Sequence, residues 1–500
     1  MRVKTPLKGQ EGSSTVSRRE TLELIGKTSL LALFAAACRR TLPPVLDPKR
    51  PNIVYIHSHD TGRYVEPYGY DVSTPRLQRF ADEGMVFRQA FAASPTCSPS
   101  RASLLTGMTP GCNGMKGLAH KGESLNDYGQ TLIPFLKGQG YTTVLAGVQH
   151  IAAHADPRVA AERIGYNELL PIRGVLAKGV ADAAVAYLER PVRGPFFLDI
   201  GFTETHVKDK GAPTSAYFFY EGGDPATAEL PVNLADTPET RADMADFEVA
   251  AGQLDLNIGR ILDTLEARGL TDNTLVLITT DHGIPLPGMK ASHTDGGLGV
   301  MLMLRGPGGF SGGKVSNALV SNIDVFPTLC ELLGVPKPAW LQGKSLLPLV
   351  RGEADEINEA VFAEYESHAV PDPAASVRTH DYKYIRRLDG NDEPRYANTD
   401  RTRTKALWLR EGWDLHLLAP EQLYDLRNDP AEKVNLVADP AYAGVLGEMR
   451  GRMVERMERY DNPLLRRYNV ANAPPVKAPV AARLLPTVEG GSDIGTIYTE

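Results

Sequence analysis

Cysteine is scarce, with four residues in 500, at positions 38, 97, 112 and 330, and no CxxC spacing among them. So few cysteines at such intervals build neither a disulfide framework nor a cysteine zinc site. Cys112 and Cys330 read most simply as small core residues. A dominant charge is also missing: 54 Lys and Arg against 61 Asp and Glu leave a net −7. That balance excludes a general binder of nucleic acid or other polyanions, so an anionic partner has to be held by local basic groups. No internal repeat is evident, and the apolar run from Leu22 to Ala37 is too short for a membrane span and is interrupted by Glu23 and Lys27. What the chain has is length and an apolar share of 42%, which predicts a globular protein of at least two domains.

Ser17-Arg18-Arg19-Glu20-Thr21 precedes the run at Leu22, and residues 1–38 read as an export signal carrying a twin-arginine pair. Ala35-Ala36-Ala37 offers small residues for cleavage, and Cys38 directly after them resembles a bacterial lipoprotein acceptor, with alanine at position 35 where leucine is usual. Two readings of the exported chain stand. It is either free in the periplasm or anchored to the bacterial envelope by lipid on Cys38, and in both the export machinery is a partner. Residues 39–50, with two prolines in a row, read as a linker.

The stretch Cys97-Ser98-Pro99-Ser100-Arg101-Ala102-Ser103-Leu104-Leu105-Thr106-Gly107 joins a reactive residue type to a helix start. Ser98 suits an N-cap and Pro99 a first turn, which places Cys97 at a helix mouth that favours an anion, with Arg101 one turn in. Elsewhere, short apolar runs end in polar clusters. Asn52–Ile56 leads to His57-Ser58-His59-Asp60, Thr142–Ala146 to Gly147-Val148-Gln149-His150, Phe196–Phe202 to Thr203-Glu204-Thr205-His206, and Thr274–Thr280 to Asp281-His282-Gly283. Helical spacing alternates with these runs over 74–84, 130–137, 238–268 and 322–333, and strands are further expected at 85–91 and 299–305. This rhythm predicts an α/β fold, a mainly parallel sheet with helices on both faces, whose ligands bind at the carboxyl ends of the strands.

Cys-x-Pro-Ser-Arg followed by Leu-Thr-Gly resembles the signature of the type I sulfatases. Asn113-Gly114-Met115 and Asp281-His282-Gly283-Ile284-Pro285 turn the resemblance toward the N-sulfoglucosamine sulfohydrolase (sulfamidase) branch, over about residues 50 to 450. It implies an alkaline-phosphatase-like catalytic domain over 51–336 and a smaller C-terminal α+β subdomain with an antiparallel sheet over 337–470; the tail over 471–500, rich in proline, alanine and glycine, reads as extended. It implies hydrolysis of sulfate esters or sulfamates, on sulfated saccharides such as heparan-type glycosaminoglycans. Cys97 would be oxidised to formylglycine (3-oxoalanine) by a formylglycine-generating maturation enzyme, and the aldehyde hydrate would attack sulfur. Asp60, Asp281, His282 and the modified Cys97 would ligate a divalent metal. His59 replaces a usual aspartate, and its part as a ligand stays open. Calcium is the family's metal, while histidine ligands shift preference toward manganese or zinc.

The resemblance also gives Arg101 and Lys290 the sulfuryl oxygens, with His293 nearby on the substrate. His206 is the general acid, with Glu204 as a competitor, and His150 is the base. Val148 stands where relatives carry a lysine. Residues 378 to 410 hold nine basic side chains against five acidic ones; they read as a wet surface, or as the part of the C-terminal subdomain that leans over the pocket. Two rival functions remain, a phosphonate or phosphate monoester hydrolase of the same superfamily and a non-catalytic glycan-binding lipoprotein.

Overall fold

Every residue of Asn52–Ser58 (β1) is buried, as a strand covered on both faces has to be. Successive side chains leave on opposite sides: Ile53 and Tyr55 join one apolar cluster, Val54 and Ile56 the other. The computed structural model describes residues 50–471 except 175, 192–193, 210–215 and 414–417. The expected export signal, Cys38, the linker up to residue 49 and the tail beyond 471 lie outside the described residues.

From β1 the chain continues through Met85–Phe91 (β2), Thr142–Gly147 (β3), Glu168–Leu169 (β4), Phe196–Gly201 (β5), the short antiparallel pair Val207–Asp209 (β6) and Ala216–Phe218 (β7), then Thr274–Thr280 (β8), Leu302–Arg305 (β9) and Lys314–Ser321 (β10). All except β6 and β7 form one eight-stranded sheet in the order β10-β2-β9-β8-β1-β5-β3-β4. Neighbours run parallel except β9, which is antiparallel to both β2 and β8. The longer helices are Pro75–Glu83 (α1), Cys97–Thr106 (α2), Leu132–Gly138 (α3), Pro157–Ile164 (α4), Ala177–Leu188 (α5), Pro238–Ala267 (α6) and Val325–Leu332 (α7). Helices α1, α5 and α6 cover the Val54 face, and α2, α3, α4 and α7 cover the Ile53 face.

The expected α/β sandwich is therefore present, and the local departures have physical causes. Helix α2 begins at Cys97, after an extended Thr96. Ser98 is thus not the cap; its hydroxyl accepts from Ala119 N at 3.1 Å, and Pro99 sits inside the first turn, where no N–H is needed. The helix expected from 322 starts instead as a short 3-10 turn, Asn322–Asp324, whose Asp324 carboxylate folds back on Ser321 N at 2.8 Å. Strand β10 was not expected, because its exposed first half hides the apolar period of its buried second half. Cys330 is buried in the core, but Cys112 is only half-buried, its thiol facing Tyr460 O.

Val361–Ser367 (β11), Pro371–Arg378 (β12), Tyr382–Arg387 (β13) and Glu421–Asp425 (β14) make a second, antiparallel sheet in that order. Arg403–Arg410 (α8) lies between β13 and β14 in the chain. Ala443–Arg459 (α9) packs Leu446, Met449, Met453 and Met457 on Val377, Tyr384 and Leu423. The basic run is not a wet surface. Arg378 and Lys383 pair with Asp295, Arg387 with Asp372, Arg403 with Asp243 and Asp246, and Arg410 with Glu239. Several of these pairs stitch the second sheet and α8 to the first part of the chain.

Close approach at the carboxyl end of β5 requires glycine at position 201. A Cβ there would lie 1.9 Å from Val148 O and 2.6 Å from His57 Cε1. Gly201→Ala is expected to lower stability by about 3 kcal/mol, read from the urea midpoint.

Candidate active site

Parallel strands carry their carboxyl ends to one edge, and the polar clusters meet there. Ser58 of β1 pairs in register with Thr280 of β8, so the residues that follow are neighbours, and Asp60 N donates to Asp281 Oδ1 at 2.8 Å. Asp60 holds this position with φ 58°, a left-handed conformation that aspartate tolerates better than most residues. Cys97, in the first turn of α2, places Sγ 3.3 Å from His282 Nε2. One ligating atom from each of His59, Asp60, Cys97, Asp281 and His282 lies within 4.8 Å of the others, and all five residues are buried.

The protonation pattern suits a cation. His282 Nδ1 lies 2.9 Å from Gly283 O, which can only accept, so Nδ1 carries the hydrogen and the Nε2 lone pair faces the group. Burial pushes the His59 pKa down to about 4 and keeps that ring neutral, 2.7 Å from Asp60 Oδ1. Burial works against ionised Asp60 and Asp281, yet their surroundings prevail: the Lys290 ammonium foremost holds Asp60 well below the usual carboxylate range, and the Arg101 guanidinium does so for Asp281. Two carboxylates, two imidazole nitrogens and a sulfur position fit a divalent metal. The Cys97 thiol is pushed well up by burial and stays neutral.

Two cations flank the group. Arg101 donates Nε to Asp281 Oδ2 at 3.1 Å and NH2 to Ser58 O at 3.1 Å, while its other arm meets His57 Nδ1. His57 Nε2 is 2.9 Å from Asp199 Oδ1, and Asp199 also accepts from Tyr166 OH, so a buried polar chain braces Arg101 from beneath. Lys290 Nζ lies 2.7 Å from Asp60 Oδ2, 2.6 Å from Asp400 Oδ2 and 3.2 Å from His206 Nε2. Burial opposes its ammonium, but Asp400 and Asp60 outweigh that and hold its pKa well above the ordinary value. His206 donates Nδ1–H to Val207 O, which leaves Nε2 facing Lys290 and Asp60.

The model of the Sulfatase family matches residues 51–335, more than half of the chain. This chain belongs to the sulfatase family. A second family model, N-sulphoglucosamine sulphohydrolase, C-terminal, matches residues 293–401. Human N-sulphoglucosamine sulphohydrolase is 28% identical, over 77% of this chain and 85% of its own length. An ulvan-active sulfatase of Formosa agariphila is 29% identical, over 79% of this chain and 78% of its own. In fold, the sulfatase is similar to a protein solved with its substrate D-glucosamine-2-N,6-O-disulfate (TM-score 0.62, 19% identity, 83% of this chain and 99% of that one). It is likewise similar in fold to the phosphonate monoester hydrolase of Agrobacterium radiobacter (TM-score 0.61, 21% identity, 82% of this chain and 96% of that one). Membership makes the protein a sulfuric ester hydrolase, and the family generally uses a metal and a formylglycine.

The structure sorts the remaining candidates of the sulfatase. Glu204 turns away from the group, accepting from Ala177 N at 2.7 Å at the start of α5 and from Tyr220 OH at 3.1 Å. His150 sits at φ 60°, stacked on His120 with ring centroids 5.5 Å apart and 5.7 Å from the His59 ring, its Nδ1 buried with no partner among the described residues. Beside it Val148 lines a cavity with His120, His150 and His154, and no lysine is among the described lining residues. His293 is not brought to the metal-ligand group; its Nδ1 lies 2.8 Å from Ser376 Oγ in the second sheet. Asp199, His120 and Asp400 escaped sequence reasoning. Each matters only through a partner far away in the chain, and no local motif marks it.

Burial holds His293 neutral, with its pKa pushed from 6.5 to about 3. The unfolded chain therefore takes up this proton first, and the stability present above pH 6.5 is lost as pH falls toward 3, by at most about 1.4 kcal/mol per pH unit. The slope of urea midpoint against pH between 6.5 and 4 is expected to be shallower in His293→Gln than in the wild type.

Proposed function

We propose that this sulfatase removes sulfate from glycans, heparan-type glycosaminoglycans among them, as sulfate esters or sulfamates, using a formylglycine at position 97 and a divalent metal. The observation that carries the reading is the convergence of Asp60, Asp281, His282, His59 and Cys97 on one buried spot, flanked by Arg101 and Lys290. A neutral buried thiol is a poor nucleophile; a formylglycine made from it would supply a hydroxyl oxygen in its place. The metal would be held by the two carboxylates, His282, His59 and the oxygen at position 97, and would supply positive charge toward the sulfuryl oxygens. Calcium is the family's choice, and the two imidazoles argue for manganese or zinc.

The chain's own groups divide the remaining work. Arg101, fixed by Asp281 and braced by His57, presents a rigid charge at the floor. Lys290 adds a second charge beside Asp60. His206 Nε2 delivers a proton to the leaving atom, and His150, with its unpartnered Nδ1, takes one from the nucleophile's side. Glycan specificity is suggested by the names of the relatives. Maturation by a formylglycine-generating enzyme, and export under the signal at residues 1–38 to the periplasm or to a lipid anchor on Cys38, complete the proposal. A second reading, a phosphate or phosphonate monoester hydrolase, draws support from the nitrogen donors His59 and His282.

Mass measurement of the tryptic peptide containing position 97, from active protein, is expected to show the aldehyde; unmodified cysteine at full activity would falsify the reading. Cys97→Ala is expected to abolish sulfate release, by at least about a thousandfold, with the thermal midpoint unchanged. Chelation is expected to remove activity, and metal added back to restore it. Faster turnover of 4-nitrophenyl phosphate than of 4-nitrophenyl sulfate would favour the second reading.

A further inference from the structure

The site has a floor and a mouth. Cys97, Asp60 and Lys290 are at most 1% exposed, whereas the side chains of His206 and Asp400 are 28% and 21% exposed. In-line displacement sets the leaving atom opposite the nucleophile. With the nucleophile at position 97 on the floor, the leaving atom faces His206 and Asp400. These two belong to different parts of the chain and are brought together by Lys290, whose Nζ lies 3.2 Å from His206 Nε2 and 2.6 Å from Asp400 Oδ2. Nitrogen of His206 and carboxylate oxygens of Asp60 and Asp400 come within 4.8 Å of one another.

We propose that Asp400 is a specificity-determining residue that accepts a hydrogen bond from the bridging N–H of a sulfamate, so that the site prefers an amine leaving group to an alcohol. The proposal rests on the sulfatase reading above. An ionised carboxylate can only accept hydrogen bonds. The bridging oxygen of a sulfate ester offers it lone pairs alone and is repelled, while the bridging nitrogen of a sulfamate carries a hydrogen to donate. With one proton from His206 either leaving group departs neutral, but the amine still has N–H bonds to donate to Asp400 and can take up a further proton beside it. In the step, His206, carrying hydrogen on both ring nitrogens, gives its Nε2 proton to the bridging nitrogen, and the S–N bond breaks with its electron pair going to nitrogen. An S–O bond forms to the nucleophilic oxygen, and over the whole reaction one water is consumed to give sulfate and the protonated amine. Burial opposes the Asp400 carboxylate, but Lys290 and His206 hold it ionised. A carboxylate so placed discriminates by attraction to one bridging atom and repulsion of the other.

The test uses the matured, metal-loaded full-length protein with glucosamine N-sulfate and glucose 2-O-sulfate, which carry sulfate through nitrogen or oxygen on the same ring carbon, and measures free sulfate. The wild type is expected to have the higher kcat/KM on the N-sulfate. In Asp400→Asn the ratio of N- to O-sulfate kcat/KM is expected to fall about tenfold, since an amide can also donate to an ester oxygen. Should the asparagine variant not fold, Asp400→Ser and the wild-type ratio carry the test. Equal losses on both substrates would make Asp400 a support for Lys290 and overturn the proposal. So would a wild type that prefers glucose 2-O-sulfate; both results leave the sulfatase reading standing. Release of sulfate from neither sugar nor from any aryl sulfate overturns the reading and the proposal together.

Discussion

Two ionised carboxylates buried side by side repel each other, and at the edge of the eight-stranded sheet Asp60 and Asp281 are held in that relation. Arg101 and Lys290 make it tolerable: the first grips Asp281, and the second grips Asp60 while reaching on to Asp400. Removing one partner from such a buried set leaves an uncompensated charge, which costs on the order of 3–5 kcal/mol. The arrangement is therefore poor as a device for stability and good as a device for binding. Its negative charges form one cluster that fits a divalent cation, and Arg101 and Lys290 set positive charges beside it.

The sheet supplies the precision. Strands β1, β3, β5 and β8 are parallel neighbours, so their carboxyl ends are set by the same ladder of hydrogen bonds, and an in-register pair such as Ser58 and Thr280 carries its alignment into the loops beyond. The loops are tightly drawn. Asp60, His150 and Ala291, the last next to Lys290, all have positive φ without being glycine, a conformation that persists only where the surroundings over-determine it. Beneath them the chain from Arg101 through His57 and Asp199 to Tyr166 allows a guanidinium to sit at the floor without a water shell.

Much of this was legible in the sequence, for identifiable reasons. Apolar β-branched runs ending in Asp60, His206 and Asp281 announce strands whose ends carry chemistry, and the Cys97 signature is local and specific. The helix cap at Ser98 was misplaced by two residues, because a Ser-Pro pair inside a first turn looks like one just before it. The basic run 378–410 misled for the opposite reason. Its charges are spent on Asp295, Asp372, Asp243 and Asp246, residues up to 160 positions away in the chain, and composition cannot show a partner. Asp400 was invisible for the same reason, an ordinary loop aspartate until Lys290 lies against it.

The thiol of Cys97 is 1% exposed, and the helix it begins is buried along its whole length. A second protein could not enclose this sulfur without parting that layer. A modification of position 97 by another protein would therefore have a deadline set by packing. Were position 97 converted as proposed, the conversion would have to precede the closing of this layer, and a molecule that folded first would keep its sulfur.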